Sequence, residues 1–422
     1  MSSAHVSTAA KRRPTLPAGV TLAGTAIAFT SLYLAAGALT PLLVVYREQW
    51  KFHAAMLTLA FAVYAVGFLA ALLTVGSLSD YVGRRPALLA ALVVQLTSNV
   101  LFLVAPSIGW VIAGRIVQGA ASGAATAAFT AALVELAPPD RMRLGTTLGS
   151  VSLTGGLAVG SLLAGVAIEL TTAANSIIFI ILNILTIIGI VVIALSPETV
   201  DRAPGALRSL VPRIAIPPAT RGELAAAAPV IAAVWMLAGL SGGLAPSMVR
   251  SVFHLDSPLL NGLSGFIAPA ASVIVGVAFA QLNPRRAMTI GIYAAIIGAI
   301  GIITGALAES LAIMMIGQAI AGVAFGAAFT ASLRLIFPLA PVHQRAGVVA
   351  TIYLVSYTAF GVPIVAAGEL AGTLGLVPTV FWYSAVTVLL ALISLWAQLR
   401  LRRHPQSVIG SALTADCATG NR

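Results

Sequence analysis

One arginine lies inside a long apolar run, in the segment 114–123, GRIVQGAASG. A charged side chain at membrane depth costs roughly 2.5–3.5 kcal/mol on insertion scales, and by default it marks a functional position. Residues at i and i+3 share a helix face, so Gln118 is expected beside Arg115. Such a fixed cation can bind an anionic substrate or take part in ion coupling. The alternative is a side chain that reaches the headgroups, since Arg115 stands about 9 Å from the end of its run.

A second polar constellation lies between two apolar runs, at 76–89, GSLSDYVGRRPALL. Gly83 can supply the positive φ that a tight turn needs. Asp80 lies at a helix end, where its carboxylate can interact with the following arginines or with the positive end of a neighbouring helix dipole. The alternative interpretation is an ordinary basic turn.

Sequence patterns for enzymatic chemistry are missing. The only lysines, Lys11 and Lys51, do not stand in a phosphate-binding loop, GxxxxGK[ST]. Cys417 is the single cysteine, and no HExxH pattern occurs. No Ser/His/Asp set falls at membrane depth. We therefore expect no enzyme, no cofactor and no metal.

The composition identifies the elements that position these residues. The chain is 59% hydrophobic and 8% charged, whereas soluble domains carry about 25% charged residues. A helix needs about 20 apolar residues to cross a bilayer, and period-2 alternation typical of barrel strands is absent. Twelve runs qualify: 21–45, 55–77, 86–105, 109–133, 145–168, 175–195, 229–249, 259–282, 288–308, 311–333, 346–368 and 378–399.

The basic residues indicate the orientation of these spans. With the N terminus in the cytoplasm, 19 of the 23 Lys and Arg are cytoplasmic, because only Arg47, Lys51 and Arg250 lie outside and Arg115 lies within a span. Cytoplasmic loops carry such an excess. We therefore expect a multi-pass protein of the bacterial inner membrane with both termini cytoplasmic. The same distribution, in short loops rather than along one face, argues against nucleic-acid binding.

The chain divides into two similar halves. A proline- and arginine-rich stretch, 196–228, separates bundles 21–195 and 229–399, with tails 1–20 and 400–422. AAFTAAL at 127–133 recurs as AAFTASL at 327–333. The glycines at 114, 119 and 123 correspond to those at 317, 322 and 326, and the arginine pair 84–85 corresponds to 285–286. Transporters built from repeats bind substrate near the midplane between the repeats.

Three segments resemble motifs of the major facilitator superfamily. The 76–89 segment is similar to its signature loop, G-x-x-x-D-x-x-G-R-[KR]-x-x-L, although Tyr81 stands where a basic residue is common. Span 4 resembles the R-x-x-Q-G motif of mainly proton-coupled members. Span 5 resembles an antiporter motif, but Ser161 replaces its proline and Ala164 a glycine. The matching residues are Gly76, Asp80, Gly83, Arg84, Arg85 and Leu88; Arg115, Gln118 and Gly119; and Gly156, Gly160 and Gly165.

This resemblance implies an all-α membrane protein with twelve transmembrane helices in two pseudo-symmetric six-helix bundles. It makes the 76–85 segment a cytoplasmic gate in which Asp80 latches the halves in the outward-open state. Gln281 stands in the equivalent position of the second half, so the latch is expected on one side only. By analogy, cavity-lining residues come from spans 1, 4, 7 and 10 and their neighbours: Tyr33, Trp235, Gln318, Tyr353 and Tyr357.

Two transport functions remain open at this stage. The first is proton-coupled export of small apolar or amphipathic compounds, as in bacterial drug exporters. The second is uptake or exchange of a small organic anion with Arg115 as its counter-charge. None of the predicted spans contains Asp or Glu, so a coupling carboxylate would lie at a helix end, at Glu48, Glu135 or Glu169; otherwise transport is uncoupled or uses another ion. We expect a monomer whose partners are its substrate, protons and lipid.

The topology can be tested with reporter fusions. Fusions at Arg208 and directly after Arg403 are both expected to report a cytoplasmic location, because of the 19-to-3 distribution of basic residues. A periplasmic signal at either position would contradict the twelve-span arrangement.

Overall fold

The computed structural model describes residues 16–212, 214–341 and 344–403, so most of both predicted tails lies outside the described residues. Within these ranges the chain is helical and contains no strand. Twelve helices are long and apolar enough to cross a membrane. They confirm the predicted all-α, twelve-span membrane fold.

The first bundle contains α1 to α6. These helices are Ala18–Trp50, Ala54–Val75, Arg84–Leu103, Ile108–Leu136, Met142–Leu170 and Ala174–Leu195. The second bundle contains α7 to α9, Pro218–Gly243, Pro258–Ala278 and Pro284–Leu307, and three further helices. In α10, Leu311–Ala324 and Thr330–Ile336 flank a π-helical turn, Phe325–Phe329. Arg345–Leu374 is α11 and Leu376–Arg403 is α12.

The linker ends earlier than predicted. Because α7 begins at Pro218, the predicted linker end at 228 and the predicted span start at 229 are wrong. Proline is favoured in the first helical turn, which explains the start at Pro218. Pro229 lies inside the helix, where membrane helices tolerate proline. The connection is thus 196–217, with a short helix Ala206–Ser209.

Glu48, Glu135 and Glu169 lie near helix ends, as expected from the sequence. The helices extend past the apolar runs, because polar residues at the membrane boundary continue a helix without contributing to its hydropathy. The longer helices include Glu48, Glu135, Glu169, Glu223 and Glu369 near their ends.

The sequence repeat is a repeat of helix packing. In the first bundle, Gly119 and Gly123 lie against the backbone of α2 at Tyr64 and Phe68. A Cβ on either glycine would overlap a backbone oxygen. Small residues of this kind let membrane helices approach closely. In the second bundle the same contacts join α10 to α8, with Gly322 against Ala268 and Gly326 against Ser272.

The two bundles are joined at the membrane face opposite the linker, here called the far face. The Ser161 hydroxyl of α5 donates to the Gly262 carbonyl of α8 at 3.0 Å. About two turns further along α5, Glu169 accepts from the Leu259 backbone N–H at 3.2 Å, at the start of α8. Glu48 at the end of α1 forms an ion pair with Arg250, which follows α7.

The other membrane face, on which the linker lies, is called the linker face. A Cβ on Gly165, near the far end of α5, would lie 2.8 Å from Gly262 Cα and from the Pro258 carbonyl oxygen. A Cβ on Gly276, near the linker end of α8, would meet nothing within 4 Å. The backbones of α5 and α8 are therefore in direct contact near the far face.

We predict that Gly165→Val opens the far face, since its side chain would collide with the backbone of α8. In a Cys417→Ser background, a Thr40→Cys probe in the cavity wall should react faster with an impermeant maleimide added at the far face.

The matched control is Gly276→Val, which makes the same change of residue type in open space. This variant should label at the parent rate. Equal labelling rates in both variants would show that the Gly165–Gly262 contact does not hold the far face closed.

Candidate substrate site between the two bundles

A cavity of about 140 Å³ lies between the bundles, with walls from α1, α2, α4, α5, α7, α8, α10 and α11. Most of its lining is apolar or aromatic. Apolar pockets with a few placed polar groups are typical binding sites. The largest polar-tipped side chains at its wall are Tyr33, Tyr64, Arg115, Trp235 and Tyr357.

Arg115 is 2% exposed and lies between α4, α2 and the cavity. Its Nε donates to the Ala60 carbonyl at 3.2 Å, and Nη2 donates to the Phe61 carbonyl at 3.0 Å. Nη1 donates to the Gln118 side-chain oxygen at 2.8 Å. The guanidinium carbon lies 4.6 Å from the centre of the Tyr64 ring. The side chain is thus satisfied inside the bundle and does not extend to the headgroups.

Gly119 explains how Arg115 reaches the carbonyl groups of α2. Because Gly119 has no Cβ, α4 can lie directly against the α2 backbone at Tyr64. One turn earlier on α4, Arg115 then faces the α2 carbonyls. Helical carbonyl oxygens keep a second lone pair that can accept such a bond.

The three carboxylates proposed from the sequence are engaged elsewhere. Glu48 pairs with Arg250, and Glu169 holds the start of α8. Glu135 accepts from the Arg84 guanidinium at 3.0 Å. Among the described residues no Asp or Glu lines the cavity, so carbonyl, amide and aromatic groups alone surround the charge of Arg115.

Aromatic residues form the α7 side of the cavity. The Trp235 ring lies 5.2 Å from that of Phe325, 4.7 Å from that of Tyr357 and 6.0 Å from that of Phe360. Across the cavity, the Tyr33 hydroxyl is 2.7 Å from that of Thr126. The structure therefore brings Tyr33, Trp235 and Tyr357 to one cavity.

Two of the predicted lining residues do not border this cavity. Gln318 is fully buried in α10, and neither atom of its amide has a hydrogen-bond partner. Tyr353 lies behind the lining residue Tyr357, at 6.2 Å between ring centres. Gln318 occupies the position in α10 that Arg115 has in α4, without a charge.

Sequence reasoning missed Phe61 and Tyr64, which flank the guanidinium. Together with Phe68 they recur at i, i+3 and i+7, on one face of α2. That aromatic spacing was the available signal, although packing produces it as readily as a binding site does.

The 76–85 segment forms a turn at the linker face. Gly83 has φ +101° and precedes α3. Gly76 continues the last turn of α2. Asp80 is 56% exposed and pairs with Arg84 of its own bundle. Within the described part of the chain, the ion pair and hydrogen bond of Asp80 are made inside its own bundle.

Glu198, which was not predicted, holds the start of α3. Its carboxylate accepts from the backbone N–H of Arg84 at 2.7 Å and of Arg85 at 3.1 Å. A carboxylate stabilises a helix N-terminus through the helix dipole. A Cβ on Gly83 would lie 2.6 Å from Glu198 Oε2. The carboxylate at the positive end of the helix dipole is therefore that of Glu198. Of the two partners expected for Asp80, the structure shows the arginine, Arg84.

The second half has its own arginine contact. Arg285 donates to Glu223 of α7 and to Gln398 of α12, each at 2.8 Å. Glu223 thus stands near Arg285, although Gln281 replaces the aspartate of the first half.

The comparison with protein families decides the class of the protein. The family model of the Major Facilitator Superfamily matches residues 25–361. The chain belongs to the major facilitator superfamily. It is a multi-pass membrane transporter of this type, as the resemblance implied.

Several solved structures of transporters share the fold. The human organic anion transporter MFSD10 (TETRAN) has TM-score 0.64 and 17% identity, covering 90% of this chain and 100% of its own. A bacterial homologue of the human lysosomal transporter Spinster, inward-facing and unoccupied, has TM-score 0.71 and 14% identity, covering 90% and 97%. The POT family transporter PepTSo has TM-score 0.73 and 12% identity, covering 92% and 99%. A search of curated protein sequences finds no match.

For the signature loop of this facilitator-superfamily protein we predict that Asp80→Asn inserts normally but transports at least about tenfold more slowly. Removing the charge would shift the balance between carrier states by a few kcal/mol, which is enough to depopulate one of them. The measurement is the initial rate in proteoliposomes at equal amounts of protein.

Asp140→Asn is the matched control, because Asp140 also pairs with an arginine at the linker face but is 73% exposed. It should transport at the wild-type rate. Wild-type transport by Asp80→Asn would remove the latch role from this aspartate.

Proposed function

We propose that this transporter exports small amphipathic organic anions by alternating access, with Arg115 as the counter-charge. The observation that carries the proposal is a buried, permanently charged guanidinium at a cavity wall that has no carboxylate among the described residues. A buried charge without an opposite charge is costly, and a bound anion offsets that cost. A cationic substrate would add to it.

Arg115 also retains donors for a substrate. Its guanidinium has five N–H groups, and three of them are used by Ala60, Phe61 and Gln118. One N–H on each of Nη1 and Nη2 is left. Two such groups bind a carboxylate in bidentate fashion.

The apolar lining defines the rest of the substrate. Phe61, Trp235, Phe325 and Phe360 offer aromatic surface on which an apolar body can pack. The fold that the chain shares with the human organic anion transporter is compatible with such a substrate. We propose export because the span-4 motif resembles that of proton-coupled members of the family. We also propose that the linker face is the cytoplasmic face.

A second candidate function is proton-coupled export of neutral apolar compounds. It is favoured by how completely Arg115 is shielded, at 2% exposure. In that case Arg115 serves coupling, and the substrate contacts the apolar walls alone.

Proton coupling, if it operates, is proposed at helix ends. Glu48 and Glu169 each join the two bundles at the far face. Protonation of either carboxylate would weaken its contact and so favour separation of the far face. Glu135 is the corresponding candidate at the linker face, through Arg84.

We expect Arg115→Gln to lower the affinity for an aromatic carboxylate by at least about thirtyfold, because truncating a buried charge pair costs about 2–5 kcal/mol. Arg115→Lys should retain part of the affinity, since it keeps the charge but loses the bidentate geometry. The measurement is binding of benzoate and of its uncharged counterpart benzamide to purified protein, followed by liposome transport with and without a pH gradient.

Each variant must elute as a single species in detergent and retain the thermal transition of the wild type. If Arg115→Gln binds benzamide normally but loses gradient-driven transport, the neutral-substrate function is correct. Unchanged binding and unchanged transport would leave Arg115 a structural residue and contradict the proposal.

A further inference from the structure

A second cavity lies between the bundles near the far face. It measures about 310 Å³, more than twice the volume of the cavity beside Arg115. Its lining residue Arg47 stands on α1 beyond Thr40 of the first cavity, about 10 Å further along the helix. One side of the second cavity comes from α1 and α2, and the other from the segment after α7 and from the ends of α11 and α12. Both bundles therefore contribute to its wall.

Arg47 supplies a charge without a partner. It is half-buried in the lining, and its guanidinium makes no hydrogen bond or ion pair within the described part of the chain. The neighbouring carboxylate of Glu48 pairs with Arg250 instead. No Asp or Glu of the described ranges lines this cavity, and Glu369, close to the lining residue Ala371, is exposed and outside the lining. The five N–H groups of the Arg47 guanidinium are thus free to bind an anion.

Ser247 adds a buried hydroxyl from the second bundle. It lies on the short helix Ala245–Ser251, which follows α7, and is 7% exposed. Its hydroxyl makes no hydrogen bond to any described residue. Unlike the fully enclosed hydroxyl of Ser241, it keeps accessible surface, and the open space that Ser247 lines is this cavity. Buried hydroxyl groups normally have a hydrogen-bond partner, and here a ligand in the cavity can provide it.

The start of α12 contributes backbone donors. Leu376 and Val377 begin this helix and line the cavity. The N–H groups of a first helical turn have no acceptor within the helix, and no described residue accepts from these two. Free N–H groups and the positive end of the helix dipole together favour a phosphate or another anion at a helix N-terminus.

These donors are best matched by a group with several acceptor oxygen atoms. A guanidinium, a hydroxyl and backbone N–H groups belong to three separate segments of the wall. A carboxylate offers two oxygen atoms in one plane, whereas a phosphate offers up to four in a tetrahedral arrangement. Arginine also forms strong charge-assisted hydrogen bonds with phosphate oxygen atoms.

We propose that the far-face cavity binds a phosphate group, with Arg47 from the first bundle and Ser247 and the start of α12 from the second as its ligands. A phosphate held in this way connects the two bundles at the far face. The phosphate belongs either to a soluble phosphate ester or to a lipid headgroup. The site lies outside the cavity beside Arg115 and does not depend on the substrate proposed for Arg115.

The test measures equilibrium binding of radiolabelled inorganic phosphate to the purified protein at constant ionic strength. Arg47→Gln should lower the affinity at least about tenfold, because it removes charge-assisted hydrogen bonds. Ser247→Ala should lower it about fivefold, because it removes one hydroxyl donor. Each variant must keep the thermal transition of the wild type. Since Ser247→Ala leaves every charge in place, it tests the cavity even if Arg47→Gln fails to fold.

Lys51→Gln is the matched control, because it removes the same charge at the far face while Lys51 is exposed and outside the lining. It should bind phosphate within about twofold of the wild type, as surface charges contribute little. Equal losses in Lys51→Gln and Arg47→Gln would show general attraction to positive charge and overturn the site. A loss in Arg47→Gln with none in Ser247→Ala would place the anion outside the cavity and also overturn it.

Competition distinguishes the two sources of the phosphate group. Glycerol 3-phosphate is the soluble competitor, and phosphatidic acid in mixed micelles carries the same group with two acyl chains. Displacement of labelled phosphate mainly by phosphatidic acid would support the site and assign a lipid headgroup to it. Displacement by glycerol 3-phosphate at least as well would support the site and assign a soluble ester. Displacement by neither compound would overturn the phosphate site.

Discussion

The burial of one guanidinium charge constrains the first bundle and the cavity that it borders. Arg115 can stay charged in an apolar interior because α2 presents the Ala60 and Phe61 carbonyls to it and Gln118 completes the set. Those contacts require α4 to lie against the α2 backbone, which Gly119 allows. Gly119, which has no side chain, therefore determines whether the charge of Arg115 can be accommodated inside the membrane-spanning bundle.

The two halves share their packing but not their chemistry. The glycine contacts of α4 with α2 recur between α10 and α8, yet Gln318 replaces Arg115. The backbone differs too. The sequence AAFTA is α-helical at 127–131, but at 327–331 its first three residues belong to the π-helical turn Phe325–Phe329. Identical sequence with different geometry means that tertiary packing sets the turn. The cavity thus has one charged wall and one aromatic wall.

The sequence carries the fold well because the bilayer demands apolar length, and that length is countable. Helix ends were less accessible: Pro218 begins α7 inside what looked like a linker, and Glu223 enters the helix with it. Arg115 was found because a charge in an apolar run is rare. Trp235 was predicted only by family analogy. The partners of Asp80 and Glu198 could not be predicted, because they depend on which helix ends meet in the folded bundle, and local spacing does not encode that.

The contact between Gly165 and Gly262 has a mechanical consequence. At this crossing α5 and α8 meet backbone to backbone, with no side chain of either glycine inserted into the other helix. Interlocked side chains would have to climb over one another for the helices to move, since packed interiors resist deformation. Two bare backbones can slide across each other instead, so the Gly165–Gly262 crossing offers little resistance to a rotation of one bundle against the other.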